Sequence, residues 1–231
     1  MSRIRDPIDS IIAGLGKKPD ASEQAANRAV IELKKAWVAE RMAPTVLPYA
    51  GDTLETVMSQ IRGLIEFVEE KSLLLHEGDI TSSGQDGENI KLQLLVVETE
   101  LERAKFVARG YLRARLAKID QSAIYWSTQT PLDTPLSPKE QEYLQRRLII
   151  KEKLYDSSFL LSLHSDLQNL NDTDGAVSMV DEPDLDKPVA IKVTKPGLDP
   201  VVCGNDTVLL EHGGLYMLRY SAIAGLPVDI V

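Results

Sequence analysis

Between Glu100 and Trp126 the apolar residues Leu101, Ala104, Ala108, Leu112, Leu116, Ile119, Ala123 and Trp126 recur at steps of three and four. That spacing puts them on one side of a helix, and Leu94 and Val97 continue the line upstream, so one long amphipathic helix is predicted. Arg115 and Lys105 project onto the edges of the apolar stripe rather than opposite it. Between Arg103 and Lys118 there are six basic residues and no acidic one. A charge taken out of water without a partner is costly. Arg115 is therefore expected to meet a carboxylate from another helix or another chain.

Further helices follow from the same period. Ile8, Ile11, Ile12 and Leu15 share a face in Asp6 to Leu15, where Asp6 suits a cap and Pro7 the first position. A unit this short is not stable alone in water. It reads either as an amino-terminal turn packed on its own domain or as a helix presented to a partner's groove. A helix from about Glu23 to Met42 has Ala26, Val30, Leu33, Ala36 and Trp37 along one side and stops at Pro44. Asp52 and Glu55 are a candidate capping pair for a helix from Thr53 to about Leu75. A mobile loop is expected over 76–89 and another loop over 127–136. Ser137, Pro138 and Glu140 then form a strong helix start, with the helix running to about Leu163.

From Ser165 to Asp186 there are seven acidic residues and no basic one, the composition of a solvated linker. Beyond it the period drops from 3.6 to 2. Val189, Ile191 and Val193 alternate with Ala190, Lys192 and Thr194 as in a half-buried strand. Thr207 to Glu211 and Leu215 to Tyr220 flank a His-Gly-Gly turn and read as a hairpin. Val201, Val202 and Val228 to Val231 supply further short strands. The class expected is α+β: a bundle of long helices over 23–164, preceded by a tail over 1–22, then a linker over 165–186 and a small β domain over 187–231. The β unit is near the lower size limit for independent folding, so it should lean on the helical domain or a partner.

The chain has 231 residues and a net charge of −9, which argues against coating nucleic acid through the whole surface. Apolar runs fall short of the roughly 20 residues a membrane span needs. The start lacks a secretory pattern and there is one cysteine, Cys203, so an intracellular, reducing location is expected. His76, His164 and His212 are too scattered for a metal cluster. Phosphate-binding glycine loops and paired cysteines are missing, which leaves no catalytic constellation with force. Six basic residues on about four helical turns keep a direct DNA-binding reading open.

Five separated segments resemble one family. Glu100, Leu101, Glu102 and Arg103, then Lys105 and Phe106, then Tyr111, Leu112, Arg113, Arg115, Leu116, Lys118 and Ile119 are similar to the signature helix of the Sld-five type of GINS subunit. Glu40, Arg41, Ala43, Pro44, Leu47 and Pro48 resemble that family's corner between helices, although Thr45 and Val46 replace its usual acid and leucine. The Leu136, Ser137, Pro138 and Glu140 helix start, the Met179 to Asp186 entry to the last domain, and Arg219, Tyr220 and Ile223 near the end also match. The resemblance implies a noncatalytic scaffold without cofactor or metal, located in the nucleus. It would sit in a heterotetramer with the three other GINS subunits and join the MCM ring and the Cdc-forty-five protein in the replicative helicase, with polymerase recruitment indirect. Arg103, Phe106, Tyr111, Arg113, Arg115 and Lys118 are the subunit-interface candidates it implies. Asp9, Ile11, Ile12 and Leu15 resemble the short box by which some replisome proteins bind the trimeric Ctf-four hub. The alternative is a helical DNA-binding or adaptor protein acting outside the helicase.

Overall fold

The computed structural model describes residues 21–76, 84–129, 134–164, 168, 173–174, 177–178, 180–204 and 206–231. The helix expected over Asp6 to Leu15, with Asp9, Ile11, Ile12 and Leu15, lies outside the described residues.

Three long helices come first: α1 (Ala21–Met42), α2 (Gly51–His76) and α3 (Gly84–Gln121). Ala43 still donates to the Ala39 carbonyl at 2.9 Å, and the chain turns at Pro44 as expected. The expected cap at Asp52 is corrected. The Leu54 N–H bonds to the Ala50 carbonyl at 3.1 Å, so the helix starts earlier and Asp52 lies in its first turn. A negative charge there still favours the helix N-terminus.

The loop expected over 76–89 is corrected too. Residues 84–89 are helical, because a helix adds one bond per residue once nucleated and the strong pattern downstream draws them in. At 38 residues α3 is about 57 Å long.

The signature helix does not run unbroken to Trp126. It stops at Gln121, Ser122 leaves helical geometry (φ −114°, ψ 41°), and α4 (Ala123–Thr128) resumes the turn. The break lets Ala123 and Trp126 fold against Leu136 and Leu144. Ser127 and Thr128 are therefore helical, not the start of a loop. Helix α5 (Pro138–Ser158) ends before Leu163, since Phe159 turns out of the helix and a 3₁₀ turn covers Leu160–Ser162.

Leu33, Val57, Ile61, Leu101, Val107 and Tyr111 form the core of α1, α2 and α3. Residue 50 meets residue 111 while residue 63 lies near residue 97, so α2 and α3 run antiparallel. Gly110 is required by this packing: a Cβ there would stand 2.8 Å from the Trp37 ring.

Within the expected linker, β1 (Thr173–Asp174) pairs antiparallel with β2 (Val177–Ser178). The last unit holds β3 (Pro188–Val193), β4 (Val201–Cys203), β5 (Asp206–Val208), β6 (Leu215–Arg219), the single-turn helix α6 (Tyr220–Ile223) and β7 (Val228–Ile230). Val189, Ile191 and Val193 are buried, as their alternation predicts.

The expected hairpin partners are corrected. β6 pairs with β3, and β5 pairs with β4 across Gly204 at φ +66°. Gly204 follows β4 directly, and a residue without a Cβ accepts that φ without strain. The turn at 211–214 exists, with Gly214 donating to the Glu211 carbonyl at 3.0 Å, but it leads from the β4–β5 pair into the sheet β6-β3-β7. On the sheet's far side β7 lies against α1.

Candidate assembly site

Arg115 stands where α1, α3, the corner at 43–50 and the start of α5 meet, and it is fully buried. A guanidinium holds five N–H donors in a planar fork. Each of them has an acceptor here. Nε donates to Glu140 Oε1 at 2.7 Å and Nη2 to Oε2 at 3.1 Å, the bidentate arrangement that suits a carboxylate. Nη1 donates to Glu40 Oε2 at 3.0 Å and to the Leu47 carbonyl at 2.6 Å. The second Nη2 proton goes to the Pro135 carbonyl at 3.1 Å. The rings of Tyr49 and Tyr111 lie 5.3 and 5.7 Å from the guanidinium carbon.

The acceptors are equally occupied. Glu40, 1% exposed, takes Lys118 Nζ at 2.9 Å on its other oxygen and the Leu47 N–H at 3.4 Å. Lys118 also donates to the Thr45 carbonyl at 2.8 Å, which ties the corner to α3. Glu140 Oε2 accepts the Ser137 N–H at 2.8 Å while Ser137 Oγ accepts the Glu140 N–H at 3.3 Å, completing the capping box read from the sequence. Tyr111 Oη accepts the Ala50 N–H at 3.0 Å at the head of α2. Two cations and two carboxylates cancel in charge, and no buried side-chain nitrogen or oxygen among the described residues lacks a partner.

Burial opposes the charge on Arg115, yet the Glu140 hydrogen bonds and the two carboxylates hold its pKa above the usual value. Lys118 moves the other way, because burial outweighs its attraction to Glu40. Burial also raises the Tyr111 phenol, which stays neutral.

This knot is closed and saturated, so it locks helices together and leaves no group free to move a proton. Among the described residues no group of three or more His, Cys, Asp or Glu is placed to hold a metal. Arg115 finds its carboxylates on two other helices of its own chain. That is the first of the two alternatives the sequence leaves open, a carboxylate from another helix. Tyr111, 1% exposed, likewise presents no surface to a second chain, and Lys118 is largely enclosed.

The other three candidates face outward. Arg103 pairs with Glu100 at 2.5 Å on the surface, Arg113 is exposed, and Phe106 is 63% exposed with its ring edge-on to Trp37 at 5.6 Å. The part played by Glu40 escaped sequence reasoning, although a signal existed. Leu33, Trp37 and Glu40 fall at i, i+4 and i+7, so Glu40 continues the apolar line of α1 just as Arg115 continues that of α3.

The helices so fixed leave apolar faces uncovered. Towards the far end of the α2–α3 pair, Phe67, Leu73, Leu92, Leu95 and Val96 are exposed, and an open groove of about 610 Å³ runs between Ile61, Leu64, Val96 and Val97. On α5 the buried positions stop at Leu144, while Ile149, Ile150 and Leu154 are exposed and Phe159 and Leu161 prolong the patch. Contiguous apolar surface of this kind marks interaction sites.

Residues 70–159 match the family model described as the GINS complex protein helical bundle domain. The chain is 37% identical over 220 residues to the DNA replication complex GINS protein SLD5 of Yarrowia lipolytica, covering 94% of this chain and 81% of that one. It is similar to the protein of the same name in Saccharomyces cerevisiae, at 33% identity over 86% of this chain and 77% of that one. The Schizosaccharomyces pombe protein is 36% identical over 84% and 85% respectively.

Proposed function

The chain belongs to the SLD5 family of GINS complex proteins, and from that premise we propose that it is a noncatalytic scaffold subunit of GINS in the replicative helicase. The observation that carries this reading is a rigid helical frame with uncovered apolar faces. The ionic knot fixes α1, α3 and α5 relative to one another, and the exposed residues of the α2–α3 end and of α5 then present preformed surfaces. Preformed surfaces bind without the cost of ordering them first. The other three GINS subunits are the partners, with Arg103, Phe106 and Arg113 on the outer side of α3 as additional contacts. The MCM ring and the Cdc-forty-five protein meet the assembled complex, in the nucleus. Asp9, Ile11, Ile12 and Leu15 are the box proposed for the Ctf-four hub.

DNA binding through α3 is the weaker reading. Arg115 and Lys118 are spent on Glu40 and Glu140, while Arg103, Lys105 and Arg109 face Glu100 and Glu102. Few cations on this helix remain to release counterions from phosphate.

Coexpression with the other three subunits tests the surfaces. Ile150→Asp with Leu154→Asp should abolish copurification while leaving the helical content of the chain unchanged. Full copurification of that double variant would overturn the assignment of α5.

A further inference from the structure

We propose that the open edge of β6 receives an extended strand from another subunit of the assembled complex, adding a fourth strand to β6-β3-β7. This inference rests on the assembly reading above. Antiparallel ladders alternate between residue pairs that exchange hydrogen bonds and pairs that do not. Tyr220 donates to the Lys187 carbonyl at 3.1 Å and Val193 to the Gly214 carbonyl at 3.1 Å, which fixes the phase of the β3–β6 ladder. Val189 with Leu218 and Ile191 with Tyr216 are then bonded pairs. Pro188 with Arg219, Ala190 with Met217 and Lys192 with Leu215 are not, in keeping with a proline that has no N–H to give. The N–H and C=O groups of Leu215 and Met217 therefore point away from β3, along the open side.

Those same residues hold their side chains on the outer face, 70% and 73% exposed. The sheet's other edge is treated differently, since β7 lies against α1. Native proteins blunt open edges with charged side chains, proline or a bulge, and β6 (Leu-Tyr-Met-Leu-Arg) carries a charge only at its last residue, Arg219. No main-chain bond from β5 reaches it among the described residues.

A row of outward N–H and C=O groups is matched by extended backbone. Leu215 and Met217 call for apolar residues at alternate positions of the incoming strand. Arg219, exposed and held only loosely by Asp186 at 4.0 Å, calls for an acidic residue at its end.

The test is amide hydrogen exchange at single-residue resolution in the complex purified with the three other GINS subunits. Leu215 and Met217 should exchange at least about tenfold more slowly than an unstructured peptide of the same sequence. Met217→Pro deletes an outward N–H without touching the β3 ladder, and Met217→Lys keeps the backbone but charges the contact. Both should free the Leu215 amide, and concordance of the two separates a blocked strand from a misfolded one. Unprotected amides in an intact complex would overturn this inference and leave the assembly reading standing. Failure to form a complex would overturn both. Protection that appears only with a doubled mass would assign the edge to a second copy of this chain and overturn the source proposed here.

Discussion

Replacing Arg115 by methionine removes five hydrogen bonds at once from a site with no access to water. Glu40 keeps Lys118 at 2.9 Å, but Glu140 loses the cation it is paired with and keeps only the Ser137 N–H near its charge. Breaking a buried pair from one side costs about 3–5 kcal/mol, because the carboxylate stays behind uncompensated. That is a large part of the roughly 5–15 kcal/mol by which domains are stable. Arg115→Lys should fall between, since an ammonium has three donors for five acceptors and each acceptor left dry costs about 1–3 kcal/mol. Adding Glu140→Gln to Arg115→Met removes the stranded charge, so the double variant should lose at least about 1 kcal/mol less than the sum of the single ones. Urea unfolding followed through Trp37 and Trp126 measures all four proteins. An Arg115→Met cost below about 1 kcal/mol, or strict additivity with Glu140→Gln, would refute the reasoning.

Four other outcomes are expected. Ser137→Ala removes the acceptor for the Glu140 N–H and should lower stability by about 1 kcal/mol, read as a lower Tm. Gly110→Ala gains helix propensity of about 1 kcal/mol but drives a methyl into the Trp37 ring, where overpacking costs about 1–3 kcal/mol; the net change in Tm should be downward. Tyr49, Tyr111, Tyr143 and Tyr220 all have phenols raised above 10 by burial first, so the unfolded chain loses these protons before the folded one. The tyrosine contribution to stability is then constant below about pH 10 and is lost as pH rises past it. Absorbance titration near 295 nm should show delayed ionisation that coincides with loss of ellipticity, and Tyr111→Phe should make the fall less steep. Arg115→Glu should reduce the yield of the coexpressed complex more than any substitution within 77–83, since it sets three carboxylates together in the knot.

Periodicity made the three-helix frame legible, because Leu33, Leu101 and Ile119 recur at helical steps and bury completely or nearly so. The capping box at Ser137 was equally plain, being local in sequence. What escaped was decided by contacts distant in the chain. Nothing near Ser122 announces that α3 must bend there for Trp126 to reach Leu144. The partner of Leu215 to Arg219 is β3, some 25 residues back in sequence, whereas the nearer His-Gly-Gly turn suggests a local hairpin that the fold does not make. Arg115 advertised a missing carboxylate without naming it. Only the fold brings Glu40 and Glu140 to one point, where Arg115 fastens their two helices to its own.

The most direct measurement is native mass spectrometry of the material purified after coexpression with the other three GINS subunits. One heterotetramer with a single copy of each subunit, lost when this chain is left out, is the result the scaffold account predicts. A stable free chain that ignores those subunits would contradict it, and would return attention to the basic side of α3.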